Sequence, residues 1–429
     1  MTPGRTRFLR LFSSAVLSQA LVSAASLLVG LVLIRQTSDL EYGYYVLVFN
    51  ALLLLASLQN AFIGPPMVVR LTALDAAGRG DLVGGLHRGQ RRLMSWAGPA
   101  AALLVALLWF AGLLDHRTGP LLLAAIATAW AVLNREYFRM VLMAAHRPAA
   151  VLRADLPYGA LLVAGAVLAT RTALPAAAAV LALGVAAAAG GLLMYRALRQ
   201  AEPWNPQGAP GILRQIAPLG LWSAGGAAVH WTFTQGYSYL AAGTLDVTAV
   251  AALAATRLLM MPLNLVSSGI GALMLPMASR WLRDHGAATV LRRLGLFALA
   301  MGGVALCYFG VMWLLRDWIF DHLLRKDFPQ RDRLLLLWSG IFLLMVMRDQ
   351  LIYLLLACER FRTLTMLSLA SALVSLSASW WGMQQHGTAG ALIGMLLGEA
   401  LNIAGILLWS LRESGWRPRR GSLPEAQQL

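Results

Sequence analysis

The sequence predicts an all-α polytopic membrane protein with about 12 transmembrane helices in two six-helix lobes. Of its 429 residues, 59% are hydrophobic and 13% are charged, whereas soluble domains contain about 25% charged residues. Runs of roughly 18 or more apolar residues recur along the chain, which is the length needed to cross a hydrocarbon core about 30 Å thick. Together these observations favour membrane-spanning helices over a soluble fold.

The apolar runs divide evenly between the two halves of the chain. The run Leu11–Ile34 is longer than the 7–15-residue core of a signal peptide, so we expect it to remain as the first helix. We predict an N-terminal lobe over residues 1–200 and a C-terminal lobe over 201–429, with a short basic tail over 412–429. The predicted helices cover about 11–34, 43–63, 93–114, 119–145, 156–170, 175–195, 216–242, 248–272, 293–315, 333–356, 362–382 and 389–411.

Charge placement gives the expected topology. The net charge is +16, but the arginines lie between apolar runs rather than in a soluble basic domain, which argues against nucleic-acid binding. Alternate connections carry roughly three times as many basic residues as the others, so the positive-inside rule places both termini in the cytoplasm. The connection 316–333 is an exception on the outer side, where basic residues alternate with aspartates. An interfacial amphipathic helix or a miscounted helix would explain it.

A short motif repeats between the halves. The sequence PMVVR occupies 66–70 and PMASR occupies 276–280, each followed by a basic segment and a further apolar run. Both motifs fall on the predicted inner side after the second helix of a six-helix half. This arrangement predicts a parallel repeat whose pseudo-twofold axis runs along the membrane normal, an architecture that transporters use around a central cavity.

Four charged residues lie near the middle of predicted spans, where each costs roughly 2.5–3.5 kcal/mol on insertion scales. Arg257 lies in the eighth helix, Arg348 and Asp349 in the tenth, and Glu399 in the twelfth. One interpretation is mutual pairing, for example of Arg257 with Asp349 or Glu399. The other is that both arginines face a cavity and bind an anionic substrate. Asp349 and Glu399 are also candidates for coupling to H⁺ or Na⁺.

Two further arginines mark the inner end of the fourth helix. Arg135 and Arg139 are four residues apart and share a helix face, with Glu136 beside them. They either extend towards the cytoplasm or form an entrance site, where guanidinium groups bind phosphate with two hydrogen bonds each.

Neutral polar residues occupy the second and seventh helices. Asn50, Gln59, Asn60, His230 and Gln235 are expected to form interhelical hydrogen bonds; Asn60, His230 and Gln235 are also candidate substrate contacts. The sequence contains no GxxxxGK[ST], HExxH, GxSxG or CxxC motif, which favours a transporter without a metal or organic cofactor over an enzyme.

Three stretches carry a resemblance to a known family. They are LIRQTSDLEYGYYVLVFNALLLLASLQNAFIGPPMVVRL in the first two helices, REYFRMVLMAAHR after the fourth, and ALAATRLLMMPLNLVSSGIGALMLPMASR in the eighth. This pattern resembles the Wzx-type polysaccharide flippases of the multidrug/oligosaccharidyl-lipid/polysaccharide (MOP) exporter superfamily.

The resemblance implies a monomeric twelve-helix protein of the bacterial inner membrane. Such a protein would translocate an undecaprenyl-pyrophosphate-linked oligosaccharide by alternating access, often driven by an ion gradient, beside a polysaccharide polymerase and a chain-length regulator. Arg257 and Arg348 would then face the central cavity, and Arg135 and Arg139 the inner vestibule.

Alternative functions make different demands on the sequence. A drug exporter of this superfamily is expected to carry an acidic residue in its first helix, and none lies in Leu11–Ile34. A lipid II flippase is expected to have fourteen helices. A membrane polymerase or ligase would need catalytic groups on an outer loop, where His322 and the aspartates of 316–333 are the candidates.

Overall fold

The computed structural model describes residues 3–71, 74–201, 204–208 and 210–415. Over these ranges the chain is helical and contains no strand. The helices are α1 (Pro3–Gln36), α2 (Asp39–Leu71), α3 (Ala76–Phe110), α4 (Thr118–Ala144), α5 (Pro148–Ala169), α6 (Pro175–Ala201), α7 (Ile212–Thr244), α8 (Val247–Leu258), α9 (Met261–Leu314), α10 (Arg316–Trp318), a π-helix (Ile319–Leu324), α11 (Arg331–Ala357), α12 (Phe361–His386) and α13 (Thr388–Glu413).

The predicted fold class is confirmed. Nine helical segments of the described chain are long and apolar enough to cross a membrane. Side-chain caps fix several helix starts: the Asp75 carboxylate accepts a hydrogen bond from the Gly78 backbone N–H at 2.9 Å, and Asp246 accepts one from Ala249 at 2.6 Å. Such caps satisfy N–H groups that have no partner inside the helix. Of the predicted basic tail, residues 416–429 lie outside the described ranges.

Contacts between connections define two faces of the helical bundle. On one face, Glu41 accepts a hydrogen bond from the Ala176 backbone at 2.9 Å. On the other, Arg360, between α11 and α12, pairs at 2.8 Å with Glu413 at the end of α13. We call the face that holds the end of α13 and the start of α1 the termini face, and the other the opposite face.

The helices form two lobes. In the first, α1 packs on α5 and α4 packs on α6; in the second, α9 packs on α11 and α12 packs on α13. The lobes meet where α2 contacts α7 and α8. Gly394 of α13 allows close contact with α12, because a Cβ at this position would overlap the backbone nitrogen of Ser379.

Three helices differ from their predicted extents. Helix α3 begins at Ala76, so a basic segment that was expected to be a connection is helical. Helix α5 begins at Pro148 rather than near 156, with proline in its first turn, where its missing N–H costs nothing. The predicted eighth helix is two helices, α8 and the first arm of α9, and α9 changes direction at Gly286, where φ is +76°.

The connection 316–333 contains a three-residue helix and a π-helix, and no additional crossing. Its charges neutralise one another: Arg331 lies 3.2 Å from Asp317, 3.5 Å from Asp321 and 3.3 Å from Asp327. The aspartates therefore offset part of the basic charge of this connection.

Candidate functional site

A break follows Arg257, between α8 and α9, and α8 contacts α2 of the first lobe. Pro262 lies in the first turn of α9 and has no N–H to continue the α8 ladder. The chain therefore turns at Leu259 and Met260, and the Tyr308 hydroxyl donates to the freed Leu259 carbonyl at 2.6 Å. Arg257 lies in the last turn of α8, about 15 Å along the helix from its start on the opposite face, which is near the middle of a bilayer.

Arg257 is held by neutral groups. Its Nη1 donates to Gln235 Oε1 at 2.6 Å and to the Tyr237 hydroxyl at 3.4 Å, and its guanidinium carbon lies 5.6 Å from the centre of the Trp338 ring. Trp338 is fully buried and donates to the Leu253 carbonyl at 3.1 Å. Arg257 forms no ion pair with any carboxylate in the described ranges, so the pairing with Asp349 or Glu399 that was weighed from sequence does not form here.

The C-terminus of α8 compensates only part of this charge. A helix C-terminus carries a partial negative charge that stabilises a nearby cation by about 0.3–1 kcal/mol. A guanidinium in the membrane costs more than this. Much of the charge of Arg257 is therefore left uncompensated in the described structure.

Arg348 is neutralised, unlike Arg257. Its Nη1 lies 2.7 Å from Glu399 Oε2, and its Nη2 lies 2.8 Å from Asp349 Oδ1. Arg348 and Glu399 are buried, whereas the Asp349 side chain is 32% exposed. The three residues carry a net charge of −1, so this cluster is a weaker candidate for an anion site than Arg257.

His230 of α7 is exposed, and its carbonyl accepts a hydrogen bond from the Thr234 hydroxyl at 3.0 Å. Of the predicted neutral contacts, the structure brings Gln235 together with Arg257.

Arg135 and Arg139 lie in a third cluster, inside the first lobe. Arg135 Nη2 lies 2.6 Å from Asp155 Oδ1, and Arg139 Nη1 lies 3.2 Å from Asp155 Oδ2. Glu136 pairs with Arg135 at 2.7 Å, and Ser18 of α1 donates to Asp155 at 2.5 Å. The cluster joins α1, α4 and α5. It buries Arg135 and leaves the Arg139 side chain 13% exposed.

The sequence prediction missed Asp155, which organises this cluster. The predicted fifth helix began one residue after it, so its carboxylate was assigned to a connection. The signal for the correct start was Pro148, a favoured residue in the first helical turn.

Asn60 takes no part in these three clusters. Its side-chain oxygen is buried without a hydrogen-bond partner in the described structure, while the neighbouring Gln59 donates to the Leu133 carbonyl of α4 at 2.9 Å. Gln59 is therefore an interhelical packing group.

The lobes are joined near the opposite face. Lys326, just after the π-helix, lies 2.7 Å from Asp39 and donates to the Thr37 carbonyl at 3.0 Å. On α1, Leu33 is 1% exposed on this side, whereas Leu17, towards the termini face, is 58% exposed.

No protein-family model matches the chain, and no curated protein matches it significantly. Solved structures do share its fold. A MATE-family multidrug resistance transporter of the MOP superfamily, in an inward-facing conformation, is 13% identical with a TM-score of 0.74, over 91% of this chain and 94% of that chain. The lipid II flippase MurJ, in an inward closed conformation, is 11% identical with a TM-score of 0.76, over 93% and 87%.

A third similar structure is a MOP-superfamily transporter from Pyrococcus furiosus, described by the reverse polarity of its binding pocket. It is 13% identical with a TM-score of 0.65, over 95% of this chain and 96% of that chain. At these identities the comparisons establish the fold: the chain has the two-lobed architecture of MATE and MurJ transporters.

Proposed function

We propose that this protein is a flippase that moves an undecaprenyl-pyrophosphate-linked oligosaccharide from the inner to the outer leaflet of the bacterial inner membrane, for surface polysaccharide synthesis. The observation that carries the proposal is Arg257, a cation within the thickness of the membrane that neutral groups hold, on a helix that contacts α2 of the first lobe. A diphosphate supplies the negative charge that this position lacks.

Substrate would enter from the termini face, which the charge pattern places in the cytoplasm. The diphosphate binds Arg257, with Gln235 and Tyr237 keeping the guanidinium in place. The oligosaccharide occupies the polar cleft near His230, and the polyprenyl chain stays in lipid. Separation of Lys326 from Asp39, with closure around α1, would then open the opposite face.

Coupling to an ion gradient is assigned to the Arg348 cluster. The partly exposed Asp349 is the carboxylate that H⁺ or Na⁺ reaches first, and Glu399 is bound by Arg348 on the buried side. Neutralising either carboxylate weakens its hold on Arg348, which frees a second guanidinium for the substrate. This sequence of events links ion binding to the affinity for the diphosphate.

For the predicted vestibule site, Arg139 is the better candidate. It donates to Ser18 and Gln19 of α1 at 3.3 and 3.2 Å, in the half of α1 nearer the termini face, and its side chain is 13% exposed. Arg135 is buried against Tyr158, with its guanidinium carbon 3.7 Å from the ring centre, and holds the lobe together.

The proposed cellular setting follows from the charge pattern and the resemblance. The termini face is cytoplasmic, the lobes are residues 1–200 and 201–429, and the protein is a monomer beside a polysaccharide polymerase and a chain-length regulator.

Substitution of Arg257 tests the proposal. In a strain that depends on this gene, Arg257→Ala should stop lipid-linked oligosaccharide from reaching the outer leaflet and cause it to accumulate on the cytoplasmic side; Arg257→Lys should retain part of the activity. The matched control is Arg171→Ala, an exposed arginine between α5 and α6, with membrane levels of all variants measured. Normal translocation in Arg257→Ala would overturn the proposal.

A multidrug exporter is the second candidate, favoured by the similarity to the MATE transporter. It predicts drug sensitivity on deletion without accumulation of lipid-linked oligosaccharide. A polymerase or ligase is disfavoured, because the aspartates of 316–333 are engaged in ion pairs with Arg331 and Arg316.

A further inference from the structure

The first lobe contains a groove that is separate from the Arg257 site. Its volume is about 1010 Å³, and its walls are α3, α4 and α6, with residues 204–207 closing one end. No residue of α1, α8 or α9 lines it. The groove therefore lies on the flank of the lobe rather than in the cleft between lobes.

One wall of this groove is cationic. Arg88, Arg91, Arg92 and Ser95 follow the spacing i, i+3, i+4 and i+7, which places them along one face of α3. The three arginines, which we call the groove arginines, are exposed and form no ion pair with a carboxylate of the described chain. Arg88 donates to the Gln207 carbonyl at 3.1 Å, and Ser95 donates to the Arg92 carbonyl at 2.8 Å.

The facing wall is aromatic and apolar. Phe138, Tyr195 and Trp204 form a cluster with ring centres 5.3 Å (Phe138–Tyr195) and 5.7 Å (Tyr195–Trp204) apart. Trp130 and Leu192 continue this wall and remain exposed. The groove thus combines three cations with a surface that suits a hydrocarbon chain.

The groove arginines lie at the termini-face end of the membrane-spanning part of α3. His87 Nε2 is hydrogen-bonded to Asn134 Oδ1 at 3.1 Å, near the end of the apolar part of α4. Beyond the arginines, α3 exposes Trp96 and a run of leucines as far as Phe110, and the roughly 20 residues that cross a hydrocarbon core reach back from Phe110 to about the groove arginines. At this level guanidinium groups meet the lipid headgroups, where anionic phosphates attract them.

We propose that this groove binds one anionic glycerophospholipid from the leaflet on the termini face. Its phosphodiester accepts hydrogen bonds from the groove arginines, and an acyl chain lies along the exposed apolar surface of α3. The position on the flank of the lobe, away from Arg257, favours a resident membrane lipid over the transported carrier lipid. The proposal does not depend on the transport function.

Lipid binding to the full-length protein tests this. Native mass spectrometry and thermal unfolding should show phosphatidylglycerol binding at least tenfold more tightly than phosphatidylcholine. Replacing the three groove arginines by glutamine should abolish the preference. The control variant replaces three exposed arginines of α9, Arg280, Arg283 and Arg292, by glutamine. It loses the same charge but should keep the preference for phosphatidylglycerol.

Other ligands define the outcomes that overturn the proposal. Glycerol 3-phosphate should not stabilise the protein at the concentrations that suffice for the lipid; equal stabilisation would indicate a site for a soluble phosphate. Polyprenyl diphosphate should not displace phosphatidylglycerol; stoichiometric displacement would make the groove a carrier-lipid site. Equal binding of the two phospholipids would also refute it.

A measurement on the unaltered protein covers the case in which the triple variant fails to fold. Phosphatidylglycerol with a photoreactive acyl chain should crosslink to peptides of α3 and α4 that line the groove. Crosslinks spread evenly over all exposed helices would refute a specific site.

Discussion

The ion pair between Arg348 and Glu399 gives the sharpest quantitative prediction. The facing atoms are 2.7 Å apart, so Coulomb's law at an effective dielectric constant of about 20 gives an attraction of about 6 kcal/mol. Desolvation offsets part of this, and removing one partner of a buried pair costs about 3–5 kcal/mol. We expect Glu399→Gln to lower the free energy of unfolding by about 3 kcal/mol, the lower end of this range, because Asp349 still pairs with Arg348.

A double-mutant cycle measures the coupling. Arg348→Gln should lower the free energy of unfolding by at least as much as Glu399→Gln does, since it leaves a buried carboxylate without a cation. The double variant should be close to wild type, because two neutral side chains replace two charges. With single losses of about 3 kcal/mol each and a double variant near wild type, the coupling energy should be about 6 kcal/mol, measured by reversible unfolding in mixed detergent micelles.

The pair between Arg360 and Glu413 is a matched control. Its atoms are a similar 2.8 Å apart, but the Arg360 side chain is 53% exposed. The same double-mutant cycle on this pair should give a coupling energy of about 0.2–1 kcal/mol. If the effects at Arg348 and Glu399 add within about 0.5 kcal/mol, or if the two pairs give equal coupling, the assigned role of burial is wrong.

Three further predictions concern other parts of the chain. Asp155→Asn should lower the free energy of unfolding by about 3 kcal/mol, because two arginines lose a buried carboxylate; thermal unfolding of the purified protein checks this. Gly394→Leu should separate α12 from α13 and abolish a monodisperse peak in size-exclusion chromatography, whereas wild-type behaviour would contradict the close contact. The pKa of Asp115 is lowered by hydrogen bonds from the Thr118 side chain and backbone. The contribution of Asp115 to the stability of the fold is therefore complete above about pH 4 and is lost as the pH falls through the lowered pKa. Asp115→Ala should therefore reduce the melting temperature at pH 7 and by less at pH 3.

Composition and apolar length were sufficient to predict the fold class, because a membrane imposes one length scale on every crossing helix. They did not predict where helices extend beyond the apolar run. Helix α3 continues back to Ala76 because contacts in the first lobe bury its amphipathic first turns, whereas the hydropathy of these turns resembles a connection. The break after Leu258 could have been predicted from the sequence, because Pro262 has no N–H to donate to the preceding helical turn.

The partners of the charged residues could not be predicted from sequence. The cost of a charge in the membrane identified Arg257 and Arg348 as special, but Glu399 lies 51 residues from Arg348, and no local rule indicates that they pair. Asp155 pairs with residues 16 and 20 positions away in another helix. Which arginine keeps its charge uncompensated is decided by the packing of α7, α8 and α11.

Lys326 is the single lysine of the sequence, and its amine is occupied by Asp39 and the Thr37 carbonyl on the opposite face. An amine-reactive reagent that cannot cross the membrane therefore meets one side-chain target, shielded in the arrangement seen here and free once that contact opens. The rate of acylation at this position would report how often the protein opens towards that side, without any engineered cysteine or spin label.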